Sequence, residues 1–473
     1  MTKQVDVAII GGGTGGYVAA IAAAQAGHHV VVIEKQQLGG TCLHRGCIPS
    51  KALLRSAEVY ALAKESAQFG VHTEGVKLHF DEVQARKQQI VDKLHSGVQY
   101  LMNKHKIEVI HGSGRVMGPS IFSPQSGSVA VELDNGESET IVPKYLIIAT
   151  GSRPRILRGL EPDGQYVFTS DEALEWDTLP QRIAIVGGGV IGVEWASMMV
   201  DFGVQVTMIE AGARILPSED EEVAKEMHKQ LADRGVTIYT NCTIDAEGIR
   251  KDESGMDILA TTAEETIHLQ ADRILVSVGR AANVEKLGLE QTNVQVENGV
   301  IRVNEHLQTN EPHIYAIGDC IGGLQLAHAA SAEGIAAVEH MSGHKGTALQ
   351  SRMVPRCVYA RPETASIGLT EAEARAAGHD VKVGKIPFQA IGKALVYGET
   401  AGFVKVIANQ ATNDVLGVHI IGPHATELIS EAAVAQLLDG TPWEVGQVVH
   451  PHPSLSEAVQ EAMLAVQGRS HIL

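Results

Sequence analysis

Of the five cysteines, at positions 42, 47, 242, 320 and 357, only Cys42 and Cys47 stand close together. A close thiol pair can exchange with a disulfide, ligate a metal, or pack as two buried apolar side chains. Pro49 suits the first turn of a helix running through Leu54, which puts both thiols at its N-terminal end, where free amides and the dipole lower a thiol pKa. Five residues of regular helix span about 7.5 Å, beyond the ~4.4–6.8 Å a disulfide tolerates between Cα atoms, so bridging requires a distorted turn. Zinc needs about four ligands; His44 intervenes, but no second Cys/His pair follows, and no metal is assigned. Two buried thiols and a redox-active disulfide beside a bound dinucleotide remain, the latter the sharper reading. A second constellation, His450-Pro451-His452-Pro453-Ser454-Leu455-Ser456-Glu457, sets an imidazole in a Pro-flanked turn five residues before a carboxylate. An acid so placed can orient His452 as a base.

A repeat must position these groups. Val5-Asp6-Val7-Ala8-Ile9-Ile10-Gly11-Gly12-Gly13-Thr14-Gly15-Gly16 leads through an Ala-rich stretch to Gly27 and Val30-Val31-Val32-Ile33-Glu34. Ile183-Ala184-Ile185-Val186-Gly187-Gly188-Gly189-Val190-Ile191-Gly192 leads to Gly203 and Val206-Thr207-Met208-Ile209-Glu210. Gly187 lies 176 residues after Gly11, and the same offset joins Gly13 to Gly189, Gly16 to Gly192, Gly27 to Gly203 and Glu34 to Glu210. Each copy reads as strand, glycine loop, helix, strand. In such a βαβ unit the first glycine turns the chain, the second admits a pyrophosphate, and the third lets helix and strand pack; the terminal acid accepts from a ribose hydroxyl. Two dinucleotide sites follow. A carboxylate at Glu210 repels a 2′-phosphate, which favours NAD over NADP; Arg214 reads as surface charge.

The 473 residues predict three or four folded units. Hydrophobic residues at 44% and charged residues at 20% fit an ordered globular chain. A formal charge of −18 speaks against nucleic acid and anionic membrane surfaces. With no run of 18 apolar residues and no signal-peptide pattern after Met1, a cytoplasmic protein is expected.

Gly39-Gly40-Thr41-Cys42, Cys47-Ile48-Pro49-Ser50-Lys51, both fingerprints, Ala149-Thr150-Gly151, Tyr315-Ala316-Ile317-Gly318-Asp319 and His450 to Glu457 together resemble the dihydrolipoamide dehydrogenases. These are the E3 flavoprotein subunits of 2-oxo acid dehydrogenase complexes, within the class I pyridine nucleotide-disulfide oxidoreductases. The resemblance implies that Cys42 and Cys47 form the redox disulfide, that the first βαβ unit holds FAD and that the second holds NAD. For FAD it implies Gly11, Gly13, Gly16, Glu34, Lys35, Gly40, Thr41, Lys51, Gly114, Thr150, Gly151, Ser152 and Asp319, with Gln325, Leu326, Ala327 and His328 beside the isoalloxazine. For NAD it implies Gly187, Gly189, Val190, Ile191, Gly192, Glu194, Glu210 and Gly279. Glu194 departs from the repeat, where Val18 is its counterpart, and in the family it pairs with the lysine matched by Lys51 near the flavin. Thr14 stands where the family often has Pro, and Pro451 where it often has Ala.

The expected fold is α/β: two Rossmann-like domains, for FAD and NAD, and a C-terminal α+β dimerisation domain. The segments are 1–150 (FAD), 151–280 (NAD), 281–350 (return to the FAD domain) and 351–473 (interface). Helices are expected from Ser50 to about Gly70, from Phe80 to His105 and from Leu326 to His340. Strands are expected at Val358–Ile367, Val381–Ile386, Phe403–Ala408 and Val415–Ile421, in a partly antiparallel sheet, with helices from about Thr426. The acidic Ser218-Glu219-Asp220-Glu221-Glu222 reads as a capped first helical turn, with Ser218 and Glu221 forming a capping box, rather than a metal site. The expected reaction oxidises protein-bound dihydrolipoamide with NAD in a homodimer serving a lipoyl domain and core acyltransferase (E2), with a lean to a branched-chain complex. A glutathione-reductase-like enzyme would want basic residues near 210, and a mercuric-reductase-like one a C-terminal cysteine pair, whereas the last cysteine is Cys357. A non-catalytic scaffold would have no need of Cys42, Cys47, His452 and Glu457.

Overall fold

The computed structural model describes residues 2–119, 125–252, 255–344 and 349–472. They form two compact units: Met1–Ala52 with Gln84–Arg155 and Arg280–Ser351, and Leu53–Val83 with Ile156–Gly279 and Arg352–Leu473.

In the first unit the strand Thr2–Ile10 is central. It runs parallel to Val30–Glu34 on one side and Ser138–Ile148 on the other, which in turn pairs with Ile314–Ala316. Val7, Ala8 and Ile9 are wholly buried, as strands covered on both faces require. Glu108–Met117 begins parallel to Val30–Glu34 and ends antiparallel to Ser128–Leu133, which turns back onto Ser138–Ile148. The fingerprint helix Thr14–Gln25 packs on Ala327–Met341.

The second unit repeats this plan. Its parallel sheet runs Thr237–Tyr239, Gln205–Ile209, Arg182–Val186, Arg273–Val276, Val167–Thr169, beside an antiparallel meander from Thr243 to Ala271. The 176-residue offset extends to register: Val7 faces Val30 and Ile10 faces Ile33, while Ile183 faces Val206 and Val186 faces Ile209. A five-stranded sheet follows, in the order Arg356–Val358, Glu363–Gly368, Val415–Gly422, Phe403–Asn409, Val381–Pro387. Ala425–Leu437 and Glu457–Val466 pack on it.

Most elements fall where the sequence sets them, including Cys47–Glu65, Phe80–Lys104 and Ala327–Met341. Three differ. The expected strand Val358–Ile367 is two strands separated by residues 359–362, because Pro362 has no N–H to give a ladder. The C-terminal sheet is antiparallel at every pairing. The acidic run is capped by Asp220, whose carboxylate accepts from the Glu222 amide at 3.1 Å, not by Ser218, because the helix begins only at Glu221. Among the described residues no helix is long and apolar enough to cross a membrane.

Candidate functional site

The thiols stand at a break between two helices, Gly40–Arg45 and Cys47–Glu65. Gly46 between them has φ −149° and ψ −117°, outside the helical region, so the expected distortion is localised in one residue. Ser50 Oγ donates to Gly46 O at 2.7 Å. Cys42 donates to the Cys47 sulfur, and this bond, together with burial, raises the Cys42 pKa against the opposing pull of Thr14 and Lys51. Cys47 is exposed and Cys42 half-buried. Sulfurs within hydrogen-bond reach of each other can close to a disulfide.

The loop before the thiols is stitched to the first fingerprint. Gly39 N donates to Gly12 O at 2.8 Å, and a Cβ on Gly40 would lie 2.6 Å from Gly13 Cα. The thiol pair is thereby anchored beside the first nest.

The two nests are built alike. Gly11 and Gly187 take φ +105° and +106°, and their amides donate to Ile33 O and Ile209 O at 2.8 and 2.9 Å. A Cβ on Gly16 or Gly192 would fall 1.9 or 2.0 Å from the carbonyl oxygen of Gly11 or Gly187. Gly13 and Gly189 differ in kind. Both have extended backbones that any residue adopts, and a Cβ would meet only Gly40 Cα at 3.9 Å in the first case and nothing within 4 Å in the second. The protein itself requires no glycine at either place, and the bare backbone leaves room for a ligand to lie against it. Neither fingerprint helix, Thr14–Gln25 or Val190–Asp201, has a side-chain cap, so the first-turn amides, including those of Val190 and Ile191, stay available for phosphate. The acids take equivalent positions. Glu34 accepts from Gly12 N at 2.6 Å and Gln36 N at 2.7 Å, and Glu210 from Gly188 N at 2.6 Å and Gly212 N at 2.5 Å.

Around the first nest, Ser152 Oγ donates to Asp319 and accepts from Arg280 Nε at 2.7 Å. Thr150 Oγ1 donates to Asn283 O at 2.6 Å, and Gly151 and Gly279 both turn with positive φ. Gly114 lies under Ile33, where a Cβ would be 3.3 Å from the Ile33 Cγ2. Gln325 and Leu326 lead into the helix bearing Ala327 and His328, while Lys35 is exposed. Arg280 and Asn283 escaped the sequence reading; the only signal was their position just after the Gly279 exit.

In the second unit His452 Nδ1 lies 2.9 Å from Glu457 Oε1, whose other oxygen accepts from Ser454 N at 2.9 Å. Burial would raise the Glu457 carboxyl, but the Ser454 amide and His452 outweigh it and hold it below its ordinary value. The imidazole is 78% exposed, with Nε2 pointing away from the acid that orients Nδ1. His450 pairs with Glu431 at 2.7 Å, a partner 19 residues upstream that the motif alone did not reveal. Glu194 is buried on Val190–Asp201 and accepts from Tyr359 N at 3.0 Å. Ser197 and Asp201 on the same helix face bind Arg361, so residues 359–361 grip the second fingerprint helix along its length.

Residues 5–334 match the family model described as pyridine nucleotide-disulphide oxidoreductase, and residues 354–463 match its dimerisation domain. A dihydrolipoyl dehydrogenase of Bacillus subtilis (strain 168) is 59% identical over 471 residues, 99% of each chain. One from Zymomonas mobilis is 40% identical over 476 residues, again 99% of each. The crystal structure of LpdA from Mycobacterium tuberculosis superposes with a TM-score of 0.89 at 27% identity, covering 98% of this chain and 99% of that one. The flavoprotein disulfide reductase RclA from Escherichia coli gives 0.83 at 26%, with the same coverage. With both models matched in order along one chain, the protein belongs to the pyridine nucleotide-disulphide oxidoreductase family.

Proposed function

We propose that the protein is a dihydrolipoyl dehydrogenase, the homodimeric E3 subunit of a 2-oxo acid dehydrogenase complex, oxidising dihydrolipoamide on the lipoyl domain of an E2 core with NAD as acceptor. The observation that carries the reading is the stitching of the Cys42/Cys47 loop onto the first of two dinucleotide nests. Electrons from a thiol pair fastened there have a redox cofactor as neighbour, which assigns FAD to the first nest and leaves NAD for the second, where Glu210 disfavours a 2′-phosphate. The FAD domain then comprises 1–150 and 281–350, the NAD domain 151–280 and the interface domain 351–473. Bound there, FAD would supply a two-electron acceptor for the thiols and NAD an acceptor for hydride.

In the proposed sequence His452 of the partner subunit removes a proton from dihydrolipoamide through Nε2, while Glu457 fixes Nδ1 and stabilises the imidazolium. The substrate thiolate attacks Cys42, and Cys47 departs as a thiolate. The second substrate thiol displaces Cys42, releasing lipoamide and leaving Cys42 and Cys47 as the reduced pair. Lys51 and Glu194, the charged pair of the family resemblance, tune the flavin's surroundings. Glu34 and Glu210 hold the two riboses, Asp319 with Ser152 the flavin's ribityl or pyrophosphate portion, and Gln325 to His328 the isoalloxazine edge.

Anaerobic addition of dihydrolipoamide to the flavin-loaded dimer tests this. A long-wavelength thiolate-to-flavin absorbance should appear, Cys42→Ser should show it without substrate, and Cys47→Ser should lack it. A flavin spectrum indifferent to dihydrolipoamide would refute the assignment.

A further inference from the structure

One transverse row of the C-terminal sheet is polar across all five strands. Arg356 faces Ser366, Ser366 faces His419, His419 faces Lys405, and Lys405 faces Lys385. Neighbouring residues Val404, Val406, Val418 and Ile420 point to the opposite side, into the core with Ile429 and Val459. Val358, Phe403 and Ile421, on the row's own face, pack with Trp195, Met198 and Met208 of the second nucleotide-binding segment. The row therefore lies in a contact between that segment and the sheet, where unanswered charge is costly.

What answers it is the acidic run after Glu210. Lys405, 2% exposed, places Nζ 3.0 Å from Asp220 Oδ1, 2.7 Å from Glu222 Oε2 and 2.8 Å from Glu371 Oε2. Lys385 reaches Glu222 at 2.7 Å, Ser366 donates to Glu219 at 2.5 Å, and Arg356 Nε lies 3.4 Å from Glu219. Burial alone would lower the Lys405 pKa, but its bonds to Glu222, Glu371 and Asp220 hold it above the ordinary value, and it remains a cation.

The upstream side of this run is fastened to the fingerprint. Leu216 N donates to Gly188 O at 2.8 Å, and Glu219 N to Leu216 O at 3.0 Å. Glu210 accepts from both Gly188 and Gly212. The loop from Glu210 to Asp220 is thus held at one end by the nest and at the other by the sheet row, with only three residues between Leu216 and Asp220. Displacing Asp220 must move the loop's contact with Gly188.

We infer that the acidic run is a key seated in this row, and that Lys405 and Asp220 are positioning residues for the coenzyme. By fixing the Glu210–Asp220 loop they set the affinity of the second nest for NAD, an inference that rests on the reading of that nest as the NAD site. Lys405→Met leaves Asp220, Glu222 and Glu371 without their shared cation. NAD binding by the flavin-loaded dimer, measured by equilibrium dialysis, should weaken about two- to thirtyfold, with Lys405→Arg recovering most of it. Flavin reduction by dihydrolipoamide should keep its rate. Asp220→Asn retains a capping side chain while removing one charge from Lys405, and should shift NAD binding in the same direction; it decides the question if Lys405→Met does not fold. Failure of the unmodified protein to bind NAD overturns the reading of the nest. Normal binding there, with unchanged affinity in folded variants, overturns this inference alone, as does an equal loss in NAD binding and in the dihydrolipoamide half-reaction.

Discussion

Gly189→Ala separates what the fold needs from what a ligand needs. Residue 189 has φ −74° and ψ −174° and no heavy atom within 4 Å of an added Cβ, so alanine fits without strain. As the N-cap of Val190–Asp201 it loses something, since alanine caps worse than glycine by roughly 0.5–1 kcal/mol. The reduced freedom of the unfolded chain returns about 0.4–1 kcal/mol. The two nearly cancel, and Tm should move by no more than about 4 °C. The methyl would project into the space assigned to the NAD pyrophosphate, where overpacking costs about 1–3 kcal/mol, a loss of affinity of about five- to 150-fold. Gly192→Ala supplies the contrast, because its Cβ would lie 2.0 Å from Gly187 O and 2.8 Å from Ser277 Oγ. That variant should lose roughly 3 kcal/mol of stability, whatever binds. Thermal unfolding and NAD titration of both variants make the test. Undiminished NAD affinity in a folded Gly189→Ala protein would refute the placement of phosphate against residue 189.

Replacing Glu210 with glutamine should narrow an NAD-over-NADP preference that the unmodified enzyme shows in steady-state rates; equal use of both coenzymes by the unmodified enzyme would sink the assignment. His452→Ala should cost about a hundred- to ten-thousandfold in turnover, and Glu457→Gln less. A mixed dimer of one His452→Ala chain and one Cys47→Ser chain should recover about half the normal rate if sites are shared between chains, and almost none if each chain is self-sufficient. The bond to Glu431 raises the pKa of His450, so its stabilisation is complete below the unfolded value of about 6.5 and is lost as pH rises through the higher folded value. The Tm difference between the unmodified protein and Glu431→Gln should therefore shrink as pH rises above about 6.5, and a difference that grows as pH rises would contradict the pairing.

The nests were legible because their requirements are local. A glycine beside a carbonyl, an apolar run and an acid at fixed distance are all written within 30 residues, and the observed register repeats the 176-residue offset. The distorted turn at Gly46 was also foreseeable, from the reach of a disulfide against the rise of a helix. The acidic run was read only as a capped helix start because its other partners lie far away in sequence: Lys405 and His419 stand singly inside apolar strands, where hydrophobic patterning counts them as noise. Pro362 was overlooked for the opposite reason, since the apolar residues around it suggested one strand although its missing N–H argued for two.

Identical backbone bonding in the two nests creates a sorting problem during folding. Ile10 and Val186 end in the same geometry, and over the four positions from Val7 to Ile10 and from Ile183 to Val186 either strand would find the same register in the other's place. Side-chain volume tells them apart. At the offset of 176 residues Trp195 corresponds to Ala19, Met198 to Ala22 and Met199 to Ala23. Ala19 and Ala23 are fully buried in a core shared with Ala337 and Val338, whereas Trp195 and Met199 fill one shared with Phe202 and Met227. Exchanged, the first helix would leave a cavity and the second would collide with its neighbours, each a cost of several kcal/mol. The alanines of the first copy and the bulky residues of the second thus act as a steric address, keeping two interchangeable backbones on their own halves of the chain.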